Sequence, residues 1–162
     1  MIRYRKLRRK DLGQVQKVAL KAWMYTYRRI YTRKNIRKFV STYYANERFE
    51  KVIFPTIKKG QACFHVALDK NRIIGYAHVA QTKGGWELIR IYLLPRYIGK
   101  GIGKKLLHLN ERFLKKKSVR RFFVYAHARN RLGISFYRRN GFVPMKSRDE
   151  GPTSLCFVKR LP

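Results

Sequence analysis

Acidic side chains are scarce in this sequence. Eight Asp and Glu stand against 40 Lys and Arg, a formal net charge of +32 over 162 residues. Total charged content is an ordinary 30%, so only the sign is skewed. Near-absence of Glu excludes the mixed Lys/Glu surface of hyperthermophile proteins. It predicts non-specific attraction to polyanions, nucleic acid included. Cysteine is scarce too: Cys63 and Cys156 are the only two. Two thiols make no disulfide framework, and buried free thiols are the expectation. No His/Cys cluster has zinc spacing, so no metal is expected. No apolar run approaches 18 residues, which excludes a membrane-spanning helix. Met1–Lys6 has no apolar segment of the signal-peptide kind. These features together place the protein in the cytoplasm. Linkers, repeats and low-complexity segments are missing, so residues 1–162 are expected to form one domain.

Apolar and aromatic residues are plentiful: 45% of the chain is hydrophobic, with 11 Tyr and 10 Phe. The most informative stretch is Trp86–Leu107, WELIRIYLLPRYIGKGIGKKLL. Leu88–Leu94 is a short, nearly continuous apolar run, the pattern of a buried strand. Pro95 ends it, having no N–H for a ladder. Gly99, Gly101 and Gly103 follow, then a helix whose inward positions are expected to be Ile102, Leu106, Leu109 and Phe113. A strand, a glycine loop and a helix start make an anion site, because the first helical N–H groups lack internal acceptors. Lys100, Lys104 and Lys105 add positive charge. A dinucleotide fold would need an early βαβ unit and an acid about 20 residues further on. Here Arg121–Val124 occupies that place, and no G-K-[ST] of a P-loop is present.

The segment L-x-x-L-P-x-Y-x-G-K-G-I-G-K-x-L-L resembles the acyl-CoA loop of the GCN5-related N-acetyltransferases (GNAT). A second segment, Asn130-x-x-Gly-Ile-x-Phe-Tyr137-x-x-x-Gly141-Phe142, resembles the later signature of that family. One helix and one strand separate the two segments, and the resemblance covers the whole chain. The family usually has Gln or Arg where this chain has Ile98. The resemblance implies an α/β (α+β) domain: a mixed, mostly antiparallel sheet with helices on both faces. It implies acetyl-CoA as co-substrate and a primary amine as acceptor, and it allows a homodimer. The backbone of Ile91, Tyr92 and Leu93 would hold the pantetheine arm and the thioester carbonyl. The loop Gly99, Lys100, Gly101, Ile102, Gly103 and Lys104 would hold the pyrophosphate. Asn130 would bond the pantetheine, cap a helix, or do both.

Acetyl transfer to an amine also needs an acid for the leaving thiolate and a base for the ammonium. Tyr137 stands in the matching motif as the acid, since a neutral phenol can donate at pH 7; packing beside Phe136 is its other role. Glu87 is the sole carboxylate in a predicted strand. Its offset of eleven residues before Ile98 resembles that of the glutamate base in the histone-acetylating branch. Burial beside apolar strands would raise its pKa toward neutrality. A charge-paired strand residue is the plainer alternative, and His78 and His127 are other candidate bases.

Elsewhere the pattern predicts a strand over Ile2–Leu7 and a helix capped by Asp11. Further helices are predicted over Asn35–Tyr44 and Glu47–Lys58. Strands are predicted over Ala62–Leu68 and Ile73–Gln81, joined by a turn at Asp69–Arg72. The last strands are predicted over Arg121–His127, Phe142–Met145 and Ser154–Lys159. Trp23, Tyr27, Ile30 and Tyr31 form an aromatic cluster, either core or a wall of the acceptor site. Its spacing resembles the PaiA branch, which resembles polyamine acetyltransferases. Small amines therefore lead as acceptors. A protein N-terminus or lysine competes, and so does a basic nucleic-acid-binding protein on the same scaffold.

Overall fold

Seven strands make one sheet: β1 (Ile2–Lys6), β2 (Ala62–Asp69), β3 (Arg72–Thr82), β4 (Gly85–Leu93), β5 (Arg121–His127), β6 (Val143–Pro144) and β7 (Ser154–Arg160). The computed structural model describes all 162 residues. The strand order is β1-β2-β3-β4-β5-β7-β6. Every pairing is antiparallel except β4 with β5. The helices are α1 (Leu12–Tyr27), α2 (Arg33–Tyr43), α3 (Asn46–Arg48), α4 (Phe54–Lys58), α5 (Ile102–Lys116) and α6 (Arg131–Arg139). A π-helical turn, Phe49–Ile53, runs α3 into α4.

Alternation along β2 sorts its side chains between two cores. Phe64, Val66 and Leu68 pack with α1 and α2, against Val15, Ala19, Trp23, Ile36 and Val40. Cys63 faces the other way, into a cluster with Leu107, Leu114, Phe122 and Tyr137. Helices thus cover both faces of a mixed sheet, as expected. Leu106 and Leu107 are fully enclosed; burying each side chain contributes about 1.5–3 kcal/mol.

The sheet is not continuous in the middle. β4 and β5 share one pairing, Glu87 with Phe123, and then part. Just beyond that pairing β4 bulges. His78 pairs with Arg90 and Val79 with Leu88, which leaves Ile89 unmatched. The bulge turns Arg90 toward Tyr44 on the α1–α2 side, while Leu88 stays in the α5–α6 core. Beyond Glu87 the edge of β4 that faces β5 has no strand partner.

Several sequence expectations change. Asp11 precedes α1 but its side chain does not cap that helix. It accepts from Arg8 N and from both terminal nitrogens of Arg5, because a buried carboxylate needs a charge partner. Thr32, accepting from Asn35 N, starts α2 at Arg33 rather than at Asn35. The inward face of α5 is Ile102, Leu106, Leu107, Asn110, Glu111 and Leu114; Leu109 and Phe113 lie at its margin. Phe142 falls outside β6 and is buried in the core.

Candidate active site

The parted strands open a cleft of about 450 Å³. β4 supplies Ile91, Tyr92 and Leu93 to one bank. The turn after β5 and α6 supply Asn130, Gly133, Phe136 and Tyr137 to the other. Ile98, Gly99, Gly101, Gly103 and Lys104 close one end. Of the residues singled out in the sequence, these converge. Lys100 and Ile102 belong to the same loop but do not line the cleft; Lys100 lies over the Tyr97 ring and Ile102 is buried beneath it.

The loop has the geometry that an anion site needs. Gly99 and Gly101 have φ of 80° and 78°, left-handed values that disfavour a side chain. A Cβ on either would meet no atom within 4 Å, so conformation and not crowding demands glycine there. Gly101 ends the loop without a side-chain cap. The first α-helical bond is Lys105 N to Gly101 O, which leaves the amides of Ile102, Gly103 and Lys104 free at the positive end of α5. Pro95 stops β4, and Tyr97 anchors the turn by donating to Asp69 at 2.6 Å. Arg96, two residues before Ile98, donates to the Tyr97 hydroxyl and so serves this anchor. The loop's free amides and the unpartnered edge of β4 suit a long ligand with a pyrophosphate at one end and amide groups along its length.

Tyr137 is buried among Phe142, Phe157 and Phe136. Its hydroxyl makes no hydrogen bond within the chain, and burial pushes its pKa well up, so it stays a proton donor. Asn130 caps α6, its Oδ1 accepting from Gly133 N at 2.9 Å. Its Nδ2 donates to the Tyr27 hydroxyl at 3.4 Å, and that hydroxyl lies 3.0 Å from the Tyr92 hydroxyl. Sequence reasoning missed this use of Tyr27. Its ring belongs to the core with Trp23, while Tyr31 and Phe39 in the same aromatic array are exposed.

Glu87 does not line this cleft. It sits half-buried where β4 and β5 meet, with Arg148 and Glu150 as its charged neighbours. Arg148 stacks 3.8 Å over Phe123, the residue paired with Glu87. Burial first, then Glu150, raises the Glu87 pKa from 4.5 to about 6, against the pull of Arg148. Carboxylates elsewhere in the chain are engaged: Asp11 with Arg5, Glu47 with Lys51, Glu50 with Arg9, Asp69 with Tyr97, Glu111 with Lys159, and Asp149 with Cys156 N. Glu87 and Glu150 alone have no ion-pair or side-chain hydrogen-bond partner.

The two candidate histidines differ. His78 Nδ1 accepts from Arg90, which can only donate, so the ring proton is on Nε2. Burial and Arg90 hold its pKa well below the usual value, which unfits it as a base. His127 is half-buried, accepts from Arg129 N through Nδ1, and meets Tyr31 edge-on. Cys63 lies 3.6 Å from His65 Nδ1, but burial pushes its thiol to about 11, which keeps it inert. No group of three or more His, Cys, Asp or Glu could hold a metal, and no helix is long and apolar enough to cross a membrane.

Comparison with known proteins agrees with this geometry. A family model described as an acetyltransferase (GNAT) domain matches residues 60–144. A spermidine N(1)-acetyltransferase of Thermoplasma acidophilum is 34% identical over 141 residues, 87% of this chain and 88% of that protein. The crystal structure of the PaiA N-acetyltransferase of Thermoplasma acidophilum, in complex with coenzyme A, is similar with a TM-score of 0.92. It is 31% identical and covers 99% of both chains. A GNAT-family acetyltransferase of Staphylococcus aureus shares the fold at a TM-score of 0.77 and 15% identity, covering 100% of each chain.

Proposed function

We propose a function from one premise: this chain belongs to the GNAT family of acetyltransferases. It is an acetyl-CoA-dependent N-acetyltransferase, and its acceptor is a primary amine of a polyamine such as spermidine. The observation that carries this is the cleft, with a phosphate cradle at one end, an unpartnered strand edge along its side and a buried phenol facing it. The 34%-identical spermidine acetyltransferase supports the acceptor class. So does the pair Glu87 and Glu150: two carboxylates close enough to interact, neither in an ion pair although Arg148 is near, suit a cationic guest on a +32 chain.

The residues divide the work as follows. Loop amides from Gly99 to Lys104 hold the pyrophosphate, with Lys104 adding charge. The edge of β4 from Ile91 to Leu93 holds the pantetheine arm and polarises the thioester carbonyl. Asn130 bonds the arm while capping α6. Glu87 takes the proton of the ammonium, directly or through water. The free amine then attacks the carbonyl carbon, the C–S bond breaks, and Tyr137 gives its proton to the sulfur; the proton that the new amide nitrogen sheds restores the Tyr137 hydroxyl. Two free, buried thiols and the choice of acetyl-CoA support a cytoplasmic site of action. The +32 charge supports a loose, salt-sensitive association with nucleic acid alongside the enzyme activity.

An acceptor screen with acetyl-CoA tests this reading, with thiol release followed for spermidine, shorter diamines, lysine peptides and peptide N-termini at several salt concentrations. Spermidine should react fastest. Faster turnover of peptides would transfer the activity to protein acceptors, and no thiol release with any amine would refute the enzyme reading.

A further inference from the structure

The two banks of the cleft lack a backbone tie beyond Glu87 and Phe123. A cleft that must place a thioester within a few tenths of an ångström needs its width set by something else. The C-terminal half of α1 lies across both banks. On the β4 side, the Tyr27 hydroxyl is 3.0 Å from the Tyr92 hydroxyl, and Trp23 leans on the Tyr92 ring with centroids 5.8 Å apart. On the β5–α6 side, the same Tyr27 hydroxyl accepts from Asn130 Nδ2 at 3.4 Å. Two supports flank it: Arg129 donates to Arg29 O at 3.0 Å, and Tyr31 meets His127 edge-on at 5.7 Å.

We propose that Tyr27 is a positioning residue of the acetyl-transfer cleft, its hydroxyl joining the bank that carries Tyr92 to the bank that carries Asn130 and Tyr137. The inference rests on the acetyltransferase reading. Tyr27 does this through a single oxygen, buried with the rest of the residue at 7% exposure. Asn130 cannot turn its amide away from Tyr27, because its Oδ1 is already committed to Gly133 N, and its second Nδ2 hydrogen stays available to the arm. A Cβ at Gly133 would come within 2.6 Å of Asn130 Nδ2, so a glycine there leaves the amide room to reach Tyr27. The ring and the hydroxyl of Tyr27 have separable tasks. The ring packs with Trp23 at 4.3 Å and fills the core; the oxygen alone spans the gap.

Tyr27→Phe keeps the ring and removes the tie. The experiment measures kcat, both KM values, CoA affinity by calorimetry and thermal melting for wild type, Tyr27→Phe, Tyr92→Phe and the double variant. We expect Tyr27→Phe to lower kcat about tenfold and to weaken CoA binding, with acceptor KM and melting temperature near wild type. The double variant should be no worse than Tyr27→Phe, since the two hydroxyls share one bond. Wild-type kcat and CoA affinity in Tyr27→Phe would overturn the proposal. So would losses that follow a fall in melting temperature, or that add in the double variant. If the wild type acetylates no amine, the functional reading falls separately; Tyr27→Phe with unaltered CoA affinity then overturns this inference on its own.

Discussion

Glu87 faces Phe123 across the only pairing between β4 and β5, so the proposed base stands where the sheet begins to open. Arg148 covers Phe123, and Glu150 follows two residues later in the same loop. The proposed acid, Tyr137, reaches the opening from α6 on the opposite bank. This relation separates proton removal from proton delivery, and it can be tested one residue at a time.

Gly101→Asp should abolish CoA binding. It puts a side chain on backbone at φ 78° and a negative charge among the free amides of α5. Gly101→Ala is the control: its Cβ meets open space, so only backbone strain of about 1–2 kcal/mol remains. Calorimetry should show CoA affinity reduced in the alanine variant and absent in the aspartate variant. Equal affinities in all three would remove the loop from the site.

Tyr137→Phe keeps the ring packed 5.6 Å from Phe142 and deletes the proton donor. The kcat should fall about 10²-fold, with CoA affinity and melting temperature near wild type. A variant working at full rate would mean that the thiolate leaves without this acid.

Glu87 has its pKa raised to about 6, chiefly by burial. As a base it works deprotonated, so kcat/KM should climb as pH rises through about 6. Glu87→Gln should lose that limb, and its deficit should shrink at high pH, where more of the amine is already neutral. The stability sign runs the other way. Between 4.5 and about 6 the folded chain binds the proton more tightly than the unfolded chain, so this group favours the fold at low pH and less so as pH rises. A wild-type pH–rate profile in Glu87→Gln would pass the base role to His127 or water.

Glu150→Gln removes the like charge that helps to raise Glu87. The rising limb of the rate profile should move to lower pH, and the KM for spermidine should increase while CoA affinity stays unchanged. Identical acceptor KM in the two enzymes would detach Glu150 from the amine.

Random duplex DNA should bind at low salt and dissociate steeply as salt rises, given 40 cationic side chains. Acetyl-CoA turnover should persist at salt concentrations that release the DNA, because loop contacts are short-range. A sequence-preferring complex that survives high salt would make nucleic acid the main partner.

Much of this site could be read from sequence because its parts are contiguous. Leu88–Pro95, Gly99–Gly103 and the start of α5 are local features with local causes. The same holds for the alternation of β2 and for the Asn130 cap. What escaped depended on partners far along the chain. Asn110 and Glu111 are polar residues on the inward face of α5, tolerated because His65 and Lys159 meet them there. Asp11 escaped for a nearer reason, drawn from its expected cap by Arg5, six residues earlier on β1. The π-helical turn at Phe49–Ile53 carried no pattern that separates it from an ordinary helix. The meeting of Tyr27 with Tyr92 joins residues 65 apart and follows only from the packing of α1 across β4.

The parting of β4 and β5 has a cost when no co-substrate is bound. An unpaired strand edge is a template for any extended chain, and natural sheets usually cover or charge such edges. Here the edge lies inside the molecule, and an acyl-CoA arm lying along it would take the place of a missing strand. The free enzyme therefore leaves these backbone groups without a partner, and CoA bound along them would stabilise the fold. At a hundred times its dissociation constant, a ligand that binds only the folded state adds about 2.7 kcal/mol of stability. A cell that runs short of acetyl-CoA would lose this enzyme's protection along with its activity.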